Sequence, residues 1–249
     1  MPTSLSALII AKDEERDLPG CLESLQGLEC EIVVLVDDAT ADRTEELARA
    51  AGAKAARRRF DDYARQRQAA LELCTKEWVL WIDADERLDQ ALRTSLAALP
   101  PSGPAAYEVR FSVRFLGREL RFGGLGAERH VRVFRRERAR FVGGALHEGL
   151  EIDGATGALP GRVIHESYRD LSDYLSKLDR YTTLAARKKW QAGGRFHWWH
   201  HLLLPAELFR RLVLRLGVLD GFPGVMWAGL AAFHHWLKYA KLREMERSA

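Results

Sequence analysis

The chain has 249 residues, 47% of them hydrophobic, enough to bury a substantial core and close to the upper end of what one domain holds. Its formal net charge of +3 is small beside 38 basic and 35 acidic side chains, so the bulk balance does not announce a nucleic-acid binder and no nucleic-acid partner is expected. Three cysteines, Cys21, Cys30 and Cys74, form no CxxC pair, which argues against a zinc knuckle or a disulfide framework and for a reducing compartment.

The opening residues carry one short apolar run, 5–11, with no basic segment before it, so the chain is expected to begin directly with structure and to work in the cytoplasm. No stretch reaches the roughly 20 apolar residues needed to cross a bilayer. Residues 1–105 alternate short apolar runs with helical ones, the pattern of an α/β layer on a mostly parallel sheet. Strands are expected at 5–11, 32–37, 53–57 and 78–83, and helices at 19–28, 42–51 and 62–74. Asp37 and Asp83 then fall at the carboxyl ends of strands, where open α/β sheets bind ligands.

The proline-rich stretch 100–104 ends this unit, and 107–115 alternates apolar and polar residues at period two, as a half-buried antiparallel strand does. Further β-like pieces at 130–135, 150–152 and 162–164 make residues 106–169 an α+β extension, expected to hold acceptor and catalytic groups. From 170 to 191 the positions Leu171, Tyr174, Leu175, Leu178, Tyr181 and Ala185 recur at helical spacing, with Asp170 placed to cap the start. Residues 170–249 read as a helical C-terminal segment, with helices at 202–219 and 225–242 parted by a breaker at 220–224. Arginine and lysine beside Trp198, Trp199, Trp227 and Trp236 suit a helix lying among lipid headgroups, and peripheral attachment to an anionic membrane face is the expectation. Much of that apolar surface is expected to pack as ordinary core.

The sharpest chemical signal is Trp78-Val-Leu-Trp-Ile-Asp83-Ala-Asp85-Glu86, a buried strand delivering two carboxylates onto the loop behind it. Such a pair, Asp83 and Asp85, can grip Mg²⁺ or Mn²⁺, hard cations that bridge one or two carboxylates to a diphosphate. An Asp-x-Asp turn is also a common solvated loop, and the surrounding unit tips the balance. At Val36-Asp37-Asp38-Ala39-Thr40-Ala41-Asp42-Arg43-Thr44 a strand ends in acid and a small polar loop opens a helix. Asp37 can accept hydrogen bonds from a base or ribose, while Thr40 and Asp42 serve equally well as turn and cap residues. Lys12-Asp13-Glu14-Glu15 follows the first strand, and either Arg65 or Arg67, on the helix before the fourth strand, can meet phosphate oxygens or simply face water.

Together these segments resemble the family-2 inverting glycosyltransferases of GT-A fold, within them the small lipopolysaccharide-core β-glucosyltransferase-like branch, over most of the chain. The family's Lys-Asn-Glu-Glu-like turn is matched by Lys12 to Glu15, with Asp13 for Asn. Its Val-Asp-Ser-Gly-Ser-Thr-Asp-Gly-Thr loop is matched by Val36 to Thr44, with Arg43 for Gly as the largest departure, and its Leu-Asp-Ala-Asp-Glu run by Ile82 to Glu86. The resemblance implies a nucleotide-diphospho-sugar transferase fold and a nucleotide-sugar site at Ala11, Asp13, Glu15, Asp37, Arg67, Asp83 and Ala84. It also implies a metal held by Asp83 and Asp85, and a UDP-sugar as donor. Val133-Phe134-Arg135-Arg136 and Leu146-His147-Glu148 look like the family's Leu-Phe-Arg and Val-His-Glu segments, which makes Glu148 the candidate catalytic base. His165 reads as a core-edge histidine or a further metal or phosphate ligand, the former slightly favoured.

The processive synthases of the same superfamily carry Gln-x-x-Arg-Trp, which this chain lacks, so a single addition is expected. The resulting expectation is transfer of a hexose, glucose from UDP-glucose foremost, to a lipid-linked glycan such as a lipopolysaccharide inner core. A nucleotidyltransferase is the alternative enzyme, against which stands the missing glycine-rich opening loop. A non-catalytic nucleotide-sugar-binding scaffold is the other, against which stand the acids at 37, 83, 85 and 148.

Overall fold

The computed structural model describes residues 4–125, 128–144, 147–166, 168 and 170–248. Contacts group the chain into two compact units, residues 1–111 with 128–165, and residues 112–127 with 166–249.

The first unit opens with β1 (Leu5–Ala11), α1 (Leu18–Leu25), β2 (Cys30–Asp37), α2 (Thr44–Ala50), β3 (Lys54–Arg58), α3 (Tyr63–Leu73) and β4 (Trp78–Trp81). These strands pair in parallel in the order β3-β2-β1-β4. The apolar runs of β1, β2 and β4 are continuous because both faces are covered, whereas β3 at the sheet edge has no buried residue. Leu5, Ala7, Ile9 and Ala11 of β1 pack on the side of α1, with Leu18, Leu22 and Leu25, while Leu8 faces the side of α3, with Ala70 and Leu71. Helix starts follow the chemistry of their first residues. Asp62 accepts a hydrogen bond from the Arg65 amide at 2.8 Å to cap α3, and Pro19 occupies the first turn of α1, where its missing N–H leaves no bond unmade.

Beyond β4 come β5 (Glu86–Leu88), α4 (Gln90–Ala97), β6 (Ala106–Phe115), β7 (Arg118–Leu120), β8 (Arg129–Arg135), β9 (Ala139–Gly144), β10 (His147–Ile152) and β11 (Thr156–His165). The sheet continues past β4 through β8, β6, β11 and β5, with antiparallel pairing between β4 and β8, β6 and β8, and β11 and β5. β5, β6, β8 and β11 thus extend the same sheet, β7 pairs with β6, and β9 with β10 form a separate antiparallel pair. Within this region β5, α4, β7 and β9 were not among the elements expected from the sequence. The strand expected to reach residue 83 ends at Trp81. There the Asp83 amide leaves the ladder to donate to Glu86 Oε2 at 2.9 Å, turning the chain into β5.

The second unit contains α5 (Leu171–Gln191), α6 (Leu203–Phe209) and α7 (Gly221–Ser248). Asp170 caps α5, accepting from the Asp173 amide at 2.8 Å, as its position predicts. An aromatic cluster fills this unit: Phe115 and Trp227 lie 5.4 Å apart, and Tyr168 and Tyr174 4.6 Å apart, beside buried Leu120 and Leu178. Trp227 is therefore a packing residue. The expected breaker at 220–224 is shifted. The chain turns at Leu216, in the left-handed region at φ 55°, and at the 3-10 turn Gly217–Asp220, while Pro223 and Gly224 lie inside the first turn of α7. Proline is tolerated in a first helical turn, whose amides have no intrahelical partner, so it marks a start here and not a stop.

Candidate active site

Four parallel strands end on one edge, and the loops behind β1, β2 and β4 carry the chemistry. Asp13 takes a left-handed φ of 54°, which a short polar side chain tolerates, and its Oδ1 accepts from the Ala41 amide at 2.9 Å. Glu15 Oε2 accepts from the Arg43 amide at 3.2 Å, and the Glu15 amide donates to Asp42 Oδ2 at 2.9 Å. The Glu14 amide donates to Thr44 Oγ1 at 2.8 Å. The loops after β1 and β2 are thus stapled to each other by the very acids expected at the nucleotide. Arg43 gives its backbone to the staple and its side chain to Glu46, 3.0 Å away, which explains why a bulky residue is accommodated in this loop.

Asp37, at the end of β2, is nearly buried. One oxygen accepts from the Ala39 amide at 3.1 Å, the other lies 3.5 Å from Lys12 Nζ, and the amide together with the nearby ammonium holds its carboxyl below the usual range. Ala11, the last residue of β1, and Ala84, between Asp83 and Asp85, are buried.

Asp83 is surrounded by cations. Trp81 Nε1 donates to its Oδ1 at 3.2 Å, Arg67 Nη2 lies 3.6 Å from Oδ1 and Arg132 Nη2 lies 3.6 Å from Oδ2. The Arg67 and Arg132 guanidiniums sit over the Trp81 ring, 4.4 and 4.2 Å from its centroid, and Arg132 also lies over Phe111 at 4.7 Å. Arg132 Nη2 donates to Glu86 Oε1 at 2.7 Å, a pair with both side chains buried. Burial pushes Glu86 up to about 7 against the pull of Arg132. Of the arginines on α3, Arg67 reaches Asp83, whereas Arg65 is exposed and pairs with Asp61 and Asp62 at 3.5 and 3.4 Å.

Asp85 meets His165 from the end of β11, Nε2 to Oδ2 at 2.9 Å, each side chain about a third exposed. Burial alone lowers the imidazole's pKa, but the hydrogen bond and charge of Asp85 outweigh it and leave the value raised. His165 is therefore at the site edge beside the second acid of the Asp-x-Asp pair. Among the described residues no group of three or more His, Cys, Asp or Glu side chains is disposed to hold a metal. The candidate base Glu148 has its backbone opposite Gly143 in the β9–β10 hairpin, and its side chain lies outside the described residues.

Arg132 and Glu86 are the site residues that the sequence reading missed. The available signal was an arginine inside the otherwise apolar Val131-Arg-Val-Phe134 of a central strand.

The description "Glycosyl transferase family 2" matches residues 6–99, which span β1 to the end of α4. The lipopolysaccharide core biosynthesis glycosyltransferase LpsC of Rhizobium meliloti is 32% identical over 242 residues, covering 92% of this chain and 89% of that protein. The chain belongs to glycosyl transferase family 2. An uncharacterized glycosyltransferase of Rickettsia typhi is 26% identical to this family-2 enzyme, covering 97% of it and 87% of the relative. Among solved structures, glucosyl-3-phosphoglycerate synthase from Mycobacterium tuberculosis, in complex with Mg²⁺ and uridine diphosphate, aligns with a TM-score of 0.44 at 18% identity. That alignment covers 68% of this chain and 73% of the synthase.

Proposed function

We propose that this glycosyltransferase moves a hexose, glucose from UDP-glucose foremost, onto a sugar of a lipid-linked glycan such as a lipopolysaccharide core, with inversion at the anomeric carbon. The observation that carries the reading is the convergence of Asp83, Asp85, His165, Arg67 and Arg132 at the carboxyl edge of the parallel strands. The 32% identity to a lipopolysaccharide core enzyme over nearly its whole length supports the acceptor class. Unpaired Cys21, Cys30 and Cys74 suit the cytoplasm, and we place the reaction at the inner face of the cytoplasmic membrane.

Asp83 and Asp85 are proposed to hold Mg²⁺ or Mn²⁺, with His165 as a further donor. The donor set fits. Asp83 and Asp85 would offer carboxylate oxygens and His165, 2.9 Å from Asp85, an imidazole nitrogen, donor types that Mg²⁺ or Mn²⁺ accepts. Such an ion keeps waters and substrate phosphates as its remaining ligands, so a protein set smaller than a closed cage suffices. When bound, the cation supplies Lewis-acid stabilisation to the departing diphosphate. The chain's own groups do the rest. Arg67 holds Asp83 by its charge and presents a cation beside the diphosphate site, and Asp37 is kept ionised to accept from the nucleoside. Glu148 is proposed to take the proton of the acceptor hydroxyl as that oxygen attacks.

The test is calorimetric titration of uridine diphosphate with Mn²⁺ into wild type, Asp85→Ala and Glu148→Gln. The reading expects affinity to fall at least tenfold in Asp85→Ala and to persist in Glu148→Gln, which loses transfer alone. Equal affinity in wild type and Asp85→Ala would sink the metal assignment.

A further inference from the structure

In the second unit, the turn between α6 and α7 displays apolar side chains that a water-facing surface gives no reason to keep. Phe209, Leu214, Leu216, Val218, Leu219 and Phe222 are all exposed, Leu214 at 67% and Phe222 at 70%. Scattered single hydrophobes on a surface are ordinary, but a run of them in one short segment marks an interaction site.

This elbow is held, not loose. Asp220 is buried and its Oδ2 accepts from the amides of Arg121 and Phe122 at 3.0 and 2.9 Å. The Gly123 amide donates to the Arg215 carbonyl at 2.8 Å, and Arg211 Nη1 donates to the Gly123 carbonyl at 3.2 Å. A Cβ on Gly217 would lie 2.7 Å from the Arg211 carbonyl oxygen, and one on Gly224 would lie 2.3 Å from the Gly217 carbonyl oxygen. Glycine at both positions lets the backbone close the turn. Leu216 accepts a left-handed φ of 55°, a conformation costly for a branched aliphatic residue, while its side chain faces outward. The fold therefore builds a firm backbone whose purpose, by its side chains, is to present apolar surface.

The charge beside the elbow decides the occupant. Over residues 118–123 and 198–225 the acids are three, all engaged: Glu207 pairs with Arg210 and Arg211, Asp220 is buried in its amide bonds, and Glu119 is half-buried with a partner of its own. Arg118, Arg121 and Arg215 are exposed, and Arg118 Nη1 lies 3.2 Å from where a Cβ on Gly221 would stand. Apolar residues flanked by arginines match the acyl boundary of a bilayer with anionic headgroups above it. No single helix among the described residues is long and apolar enough to cross a membrane. The helical stretches Trp198–Leu214 and Gly217–Ser248, bent by 72°, reach the needed length and apolarity only together. A bent pair of that kind suits a shallow wedge.

We infer that the elbow 209–225 inserts into an anionic lipid surface. The inference deepens the reading of a lipid-linked acceptor by naming the surface that brings the enzyme to it, and it stands on the elbow alone. Of the tryptophans expected at lipid, Trp227 is packed inside the unit while Trp198 and Trp199 are exposed, and the elbow adds its aliphatic residues and Phe222.

The test uses the full chain and sedimentation with vesicles of phosphatidylcholine, with and without phosphatidylglycerol. Wild type is expected to partition at least tenfold better onto the anionic vesicles. Leu214→Ser with Phe222→Ser, both exposed, is expected to lose most of that binding with unchanged circular dichroism. Arg215→Gln with Arg118→Gln is expected to lose the preference for anionic lipid. Binding undiminished in the apolar variant overturns the inference. So does a wild-type dimer that the same substitutions dissociate while neither protein binds vesicles, because the elbow then covers a second copy. Uridine diphosphate affinity measured on the same variants separates this outcome from failure of the transferase reading.

Discussion

Asp83 is the residue on which the site converges, and its surroundings show how an acid is kept aimed. Two guanidiniums and an indole N–H approach it, while Glu86 fixes its amide from below and accepts from one of those guanidiniums. Arg132 is the joint of this network, held over Trp81 and Phe111 where a lysine could not lie flat. Removing one partner of a buried ion pair leaves an uncompensated charge, at a cost of roughly 3–5 kcal/mol. Here part of that cost is relieved, because Glu86 already titrates near 7 and takes up a proton readily once its cation is gone. Arg132→Met is therefore expected to lower stability by about 2–4 kcal/mol in urea unfolding at pH 7, and to weaken uridine diphosphate binding through a misplaced Asp83. Adding Glu86→Gln to Arg132→Met should recover part of the lost stability. No recovery in the double variant would mean that lost packing, and not the stranded carboxylate, causes the effect.

At the scale of elements, α6 and the turn after it depend on one carboxylate. Glu207 accepts from Arg210 Nε at 2.7 Å and Arg211 Nε at 2.8 Å, and those bonds hold its pKa down to about 2 from an ordinary value of 4.5. A depressed carboxylate contributes stability that is present above its unfolded pKa and is lost as pH falls through its folded one. The window therefore runs from about 4.5 down to about 2. Glu207→Gln should cost roughly 1–3 kcal/mol at pH 7, with the gap to wild type closing as unfolding is measured toward pH 2. A gap independent of pH would show that Glu207 acts through packing alone.

The same scale explains what the sequence disclosed. Strands β1, β2 and β4 were legible because sheet and helices cover both their faces, and their apolar runs stand out from polar loops. The three-residue β5 and β7 were not, since pairing rather than composition makes them strands. Asp37, Asp83 and Asp85 were legible as strand-end acids. His165 reaches Asp85 only because β11 pairs with β5, a long-range contact that local pattern cannot show. The burial of Arg132 is not legible in its own strand alone, because the two aromatic rings and the buried glutamate that receive it come from other strands. In the tail, Pro223 and Gly224 suggested a stop one turn too late.

Over the whole molecule, the chain separates two tasks. The residues proposed to hold the donor and metal lie in the unit formed by 1–111 and 128–165, and the elbow proposed to hold lipid lies in the unit formed by 112–127 and 166–249. The two sets of named residues do not overlap, so independent binding of the two ligands is the expectation. Substitutions without shared partners add within about 0.3–0.5 kcal/mol, roughly a factor of two in an equilibrium constant. Asp85→Ala should thus lower uridine diphosphate affinity with vesicle partitioning unchanged, and Phe222→Ser with Leu214→Ser should do the reverse. The variant carrying all three changes should show both losses, each within about twofold of its separate value. Titration and sedimentation on the four proteins measure this directly. A departure well beyond twofold would require a ligand-dependent change that links the units, since a coupling free energy must act equally on both ligands. Vesicles would then tighten nucleotide binding by the factor by which nucleotide tightens vesicle binding, and lipid would act as an effector of the transferase site as well as its anchorage.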